Sequence, residues 1–289
     1  MVRRALILVA ALVGLNHAQE TPSFRSGIDI VTVTVTVTDR EGRFVPGLRQ
    51  DDFTIFEDGQ RKDVTSFADE SAPVSLGLLL DASGSMTGGR LDLARASISR
   101  LVSRDLDASA EWFLARFTST VVVAQEWTSD RAAIVQPLRE TRATGDTGLY
   151  DAIALTIPLV EEGHLQKKAL LLVSDGGESK SLVSLDEVRM AIGLHDVRVY
   201  SVGVDAPAAS GGEKLKMTAM RDVADDTGGR TWVVSSGADI ASATAQLADE
   251  LRHMYLVSYA TTRAKDGRRH SIRVDVRGRG LKVRARRGF

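Results

Sequence analysis

Residues 74–90 read VSLGLLLDASGSMTGGR. A mostly apolar run ends on Asp81, and Ser83 and Ser85 follow at alternate positions among small residues. Such a run predicts a strand covered on both faces, as strands of parallel sheets are, rather than one with a wet side. Beyond the loop, Leu91, Leu93, Ala94, Ile98, Leu101 and Val102 recur at helical spacing. Strand, loop and helix in this order are the repeating unit of an open α/β sheet.

The unit recurs downstream. EWFLARF (111–117), VVVAQEW (121–127), KALLLVSD (168–175), VRVYSVGV (197–204) and RTWVVS (230–235) read as strands. Amphipathic helices are predicted near Arg131, over Leu149 to Val160, Leu185 to Leu194, Lys214 to Asp225 and Ala238 to His253. The alternation predicts a Rossmann-like, open, mostly parallel sheet with helices on both faces. Only Thr118, Ser119 and Thr120 separate the first two of these strands, so that pair is expected to be antiparallel.

Both flanks are all-β. DIVTVTVTVTD (29–39) alternates valine with threonine, and DDFTIFEDGQRKDVTSF (51–67) reads as a hairpin turning at Asp58-Gly59. YLVSYAT, HSIRVDVRG and LKVRARR follow near the C-terminus. Segments 29–72 and 255–289 are each small for a stable unit without disulfides or metal. They are expected to pair into one β-sandwich, with an α/β domain at 73–254 inserted between them. From Arg263 onward eleven Lys/Arg stand against two Asp. Their alternation with apolar residues predicts the wet face of half-buried strands, which also discourages edge-to-edge association.

Composition narrows the function. The chain has 289 residues, 43% hydrophobic and 26% charged, with net charge -1, so no global field marks it as a nucleic-acid binder. Residues 1–18, MVRRALILVAALVGLNHA, show the three-part plan of a secretory signal. Their apolar core is shorter than the roughly 20 residues of a spanning helix. The expectation is a secreted or periplasmic protein without membrane insertion after cleavage; Asn16 is a poor match to a small-x-Ala site, so an uncleaved anchor stays open. There is no cysteine, so core packing alone must hold the fold.

Three chemistries compete for the loop after Asp81. A phosphate cradle fits the Gly84-x4-Gly89 spacing, but Arg90 and Leu91 stand where Lys and Ser/Thr are needed. A nucleophilic serine lacks flanking glycines at both Ser83 and Ser85, and no histidine falls at the C-terminal edge of a core strand. A hard-cation site suits one carboxylate and two hydroxyls, because Mg2+ takes oxygen ligands. The C-terminal edge is also where open sheets bind ligands. Two other loops are expected at that edge: GDTGLYDA (145–152), carrying Thr147, and VSDGGES (173–179), carrying Asp175.

DASGSM, GDTGLYDA and VSDGGES, in this order, resemble the von Willebrand factor type A domain with an intact metal-ion-dependent adhesion site. The resemblance covers about residues 73 to 254, and the two flanks resemble a bacterial exported subgroup. It implies that Ser83 and Ser85 bind Mg2+ (or Mn2+ or Ca2+) directly, that Thr147 does so in a ligand-ready state, and that Asp81 and Asp175 act mostly through water. A protein partner with an exposed Asp or Glu would take the open position. The rival readings are a metal-dependent hydrolase or phosphatase using the same edge, and a structural envelope-assembly protein. The neighbours also fit plainer roles: Ser85, Thr87 or Asp146 as helix caps, Asp151 and Glu178 as helix-surface and loop carboxylates, and Trp112, Trp127 and Trp232 as packing.

Overall fold

The computed structural model describes residues 29–69, 72–106, 108–206, 217–263 and 268–289; the expected signal segment lies outside them. In chain order the elements are β1 (Asp29–Thr38), β2 (Phe53–Glu57), β3 (Gln60–Lys62), β4 (Val64–Ala68), β5 (Val74–Asp81), α1 (Gly89–Arg100), β6 (Glu111–Phe117) and β7 (Val121–Thr128). Then come α2 (Arg131–Glu140), α3 (Leu149–Glu161), β8 (Lys167–Ser174), α4 (Leu185–Gly193), β9 (Arg198–Val204), α5 (Thr218–Asp226), β10 (Thr231–Val234) and α6 (Gly237–Arg252). β11 (Met254–Thr261), β12 (Ile272–Val276) and β13 (Lys282–Arg284) close the chain. Among the described residues no helix is long and apolar enough to cross a membrane.

Six strands form the central sheet in the order β10-β9-β8-β5-β6-β7. Its pairs are parallel except β6 with β7, the pair joined by the three-residue turn. The chain first builds outward from β5 through β6 and β7, then returns to the other side of β5 with β8. The order therefore reverses between β5 and β8, and the loops leaving these strands diverge into a crevice.

All eight residues of β5 are buried, as a strand covered on both faces requires. Leu76, Leu78 and Leu80 pack on the face with α1, α2 and α6, and Leu79 on the face with α3, α4 and α5. Gly77 is needed on that second face: a Cβ there would lie 2.6 Å from Val160 Cγ2 of α3. Trp112 is fully buried and Trp232 nearly so, while Trp127 packs on Phe113 with ring centroids 5.5 Å apart.

The two terminal segments share a core, as the sequence predicts. β1 pairs antiparallel with β11 from Asp29↔Thr261 to Thr36↔Met254, within a sheet ordered β13-β1-β11-β4. A second sheet, β12-β2-β3, packs on it through Val33, Val35, Phe53, Ile55, Tyr255, Val257 and Val274. The β2–β3 hairpin turns at Asp58 (φ 48) and Gly59 (φ 77), both left-handed as a tight hairpin turn requires. One detail differs from the expected hairpin. It stops at Lys62, and β4 crosses to pair with β11 in the other sheet.

The basic C-terminal strands also need a correction. Arg273 and Asp275 do face solvent, but Arg286 is buried and Arg284 is only about one-third exposed. Burial of Thr34 and Thr36 shows the reason: the outer face of the first sheet lies against the α/β unit. Buried Arg198, the first residue of β9, donates to the Thr36 hydroxyl and to the Thr34 carbonyl oxygen. Glu250 of α6 accepts from Arg284 Nη2 at 2.5 Å and from the Tyr200 hydroxyl at 3.0 Å. Arginines expected in water thus anchor the sandwich.

Candidate functional site

The site lies where β5 and β8 part. Asp81 ends β5 and is fully buried, because the strand carries it into the covered centre of the sheet. The Ser83 amide donates to its Oδ1 at 2.8 Å, and the Ser174 hydroxyl, at the end of β8, donates to its Oδ2 at 2.5 Å. Burial, with a smaller contribution from nearby Asp175, pushes the carboxyl up to about 6 against these hydrogen bonds. The loop then doubles back, so that Ser83 Oγ and Ser85 Oγ lie 3.0 Å apart.

Backbone bonds clamp the three loops together. Gly84 N donates to Gly145 O at 2.8 Å, and Thr144 N to Ala82 O at 2.8 Å, which joins the first loop to the second. Ser179 N and Lys180 N donate to Thr147 O at 2.9 and 3.0 Å, which joins the second to the third. The result is convergence on one point. A Cβ on Gly177 would lie 3.1 Å from Asp175 Oδ1, 3.6 Å from Ser85 Oγ and 3.8 Å from Thr147 Oγ1. The absent side chain leaves a cradle of oxygens drawn from all three loops. Asp81, Ser83, Ser85, Thr147 and Asp175 are therefore brought together.

This donor set fits a small hard cation. Adjacent ligands of an octahedral Mg2+ at its usual 2.0–2.1 Å lie about 2.9 Å apart, close to the spacing of the two serine hydroxyls. A buried carboxylate disfavoured by desolvation is also what a cation would offset. Among the described residues, no three His, Cys, Asp or Glu side chains are grouped to hold a metal, so hydroxyls dominate the inventory.

Five neighbours depart from the cap and surface roles their sequence positions suggest. Asp146 does not cap α3: Gly148 occupies that position without a side-chain bond, and Asp146 lies exposed 3.9 Å from Lys180 Nζ. Asp151 and Glu178 are more than surface charges. Asp151 accepts from the amides of Leu182 and Val183, and Glu178 from those of Tyr150, Lys180 and Ser181, which fixes the rim loop. Thr87 donates to Gly84 O at 2.9 Å rather than capping α1, and Ser85 makes no cap either.

Sequence reasoning missed Arg90. Nearly buried, it donates through Nη1 to Asp175 Oδ2 at 2.6 Å and to Ser85 O at 3.2 Å, and through Nε to Ala206 O at 3.0 Å. One signal could have found it: a cation in the first turn of a helix opposes the helix dipole and calls for an acidic partner. The histidines of the described residues stand elsewhere. His164 and His195 precede β8 and β9 at the opposite edge, paired with Glu111 and Glu161, while His270 pairs with Asp58 in the sandwich.

Residues 76–178 match the family model of the von Willebrand factor type A domain, a span that holds all five residues of the cradle. No curated protein matches the sequence. Among solved structures, the conserved hypothetical protein BatB from Bacteroides thetaiotaomicron is similar with a TM-score of 0.52 at 20% identity, over 62% of this chain and 97% of that one. An aerotolerance-related membrane protein from Bacteroides fragilis, carrying multiple mutations to serine, gives 0.54 at 19%, over 62% and 98%. A von Willebrand factor type A structure from Catenulispora acidiphila gives 0.54 at 12% but extends over 90% of this chain and 73% of that one. Residues 76–178 are thus similar to the von Willebrand factor type A domain in sequence, and the chain shares the fold of these structures.

Proposed function

We propose that this is an exported binding protein in which Asp81, Ser83, Ser85, Thr147 and Asp175 hold a divalent cation, Mg2+ by donor chemistry, for an acidic side chain of a protein partner. The observation that carries the reading is the convergence of Asp175 Oδ1, Ser85 Oγ and Thr147 Oγ1 around Gly177. A bound cation would supply Lewis acidity for a partner's carboxylate. Neutral hydroxyls would cancel little of its charge, so an anionic group from outside would be favoured.

Binding fits the residues better than turnover. A hydrolase needs a positioned base. Both Asp81 oxygens already accept hydrogen bonds, and the His164 and His195 rings lie beyond the far end of the sheet. The export reading rests on residues 1–18, and the sandwich would serve as the mount for residues 73–254. Calorimetric titration of the full chain with Mg2+ tests the site. Asp81→Ala and the Ser83→Ala/Ser85→Ala double variant are expected to lose the binding seen in wild type, and equal affinity in all three overturns the proposal. A pull-down from envelope extract with and without EDTA then reads the partner, whose capture should need the cation.

A further inference from the structure

We infer that Arg90 is a positioning residue that weakens the cradle's hold on its cation and leaves the loaded site with the net positive charge that selects a carboxylate. This rests on the cation reading above. The buried Arg90 guanidinium is pinned from three sides, by Asp175 Oδ2, Ser85 O and Ala206 O, so it cannot withdraw when a cation arrives. It also occupies only one oxygen of Asp175. The other, Oδ1, accepts from Gly177 N at 3.0 Å and faces the cradle. Arg90 thus orients the carboxylate and engages one of its two oxygens.

The charge count gives the consequence. Among the described residues, the buried charged side chains at the site are Asp81, Asp175 and Arg90, a formal sum of -1. A divalent cation brings the sum to +1, and one partner carboxylate brings it to zero. Without Arg90, the cation alone would neutralise the site and a carboxylate would arrive at no net charge. Inside a partly buried site such differences act at low effective dielectric. The same guanidinium should therefore oppose the cation and favour the anion. A purely structural ion pair would do neither, since breaking it costs stability without moving the two affinities in opposite directions.

Opposite signs make the test specific. The full chain and its Arg90→Gln and Arg90→Lys variants are titrated with Mn2+ by calorimetry. Acetate is then titrated into the Mn2+-loaded proteins, with water-proton relaxation reporting displacement of metal-bound water. Arg90→Gln is expected to bind Mn2+ about tenfold tighter and acetate about tenfold weaker, while Arg90→Lys stays near wild type in both. Unchanged or weaker Mn2+ binding by a folded Arg90→Gln protein overturns the inference and leaves the cation site standing. Absence of Mn2+ binding by wild type overturns both. If Arg90→Gln does not fold, the neutral pair Arg90→Gln/Asp175→Asn is compared with Asp175→Asn alone. Recovery of Mn2+ affinity in the pair supports the inference, and no recovery overturns it.

Discussion

Ser174 donates its hydroxyl to Asp81 Oδ2 at 2.5 Å, so the last residue of β8 holds the last residue of β5. The bond crosses the place where the strand order reverses. It fixes the orientation of the buried carboxylate and leaves the loop serines free to turn toward the crevice. Gly176 N donates to the same Ser174 hydroxyl at 2.8 Å, which ties the third loop to that anchor.

Asp81 should make stability depend on pH when no cation is bound. Burial raises its carboxyl from 3.8 to about 6, so its contribution is fully present below 3.8 and is lost as pH rises through about 6. The shift corresponds to about 3 kcal/mol between pH 4 and pH 8. Urea unfolding in EDTA should show that loss in wild type and lack it in Asp81→Asn, and saturating Mg2+ should reduce it. Matching profiles for the two proteins in EDTA would remove Asp81 as the cause.

Gly177→Ala fills the cradle. Its Cβ would stand 3.1 Å from Asp175 Oδ1, close enough to push that oxygen aside, while Gly177 itself does not adopt a left-handed backbone. Cation affinity should fall by about tenfold or more, with stability in EDTA changed by no more than about 1–3 kcal/mol. Wild-type affinity in this variant would mean that the cation sits elsewhere.

Arg198→Ala should separate the mount from the site. Removing this buried side chain leaves the Thr34 carbonyl and Thr36 hydroxyl without their donor and thins the charge around Glu250. The expected cost is about 3–5 kcal/mol in chemical unfolding. Arg198 starts β9, at the edge of the sheet opposite the cradle, about 20 Å away along a seven-residue strand. Mg2+ affinity measured on the folded variant should match wild type; a large loss would show the two units to be coupled.

Much of this architecture is determined by local pattern. The apolar run before Asp81, the helical spacing after it and the valine-threonine alternation of β1 each follow from which faces a segment must bury, and neighbouring residues carry that information. The same holds for Asp81, Ser83, Ser85, Thr147 and Asp175: small oxygen-bearing residues at strand ends can be read as a set because parallel strands deliver their C-terminal loops to one edge. Arg198 and Arg286 could not be read this way, and Arg90 only in part. Each is a long charged side chain whose sequence neighbourhood suits a wet surface, and only packing of distant segments decides whether it reaches a buried partner. Arg90 meets Asp175 across 85 positions and Arg198 meets Thr36 across 162. Sequence alone determined which oxygens gather at the sheet edge. Tertiary structure decided which cations lie beside them, because a buried charge is stabilised by a partner that the fold, and not the local sequence, supplies.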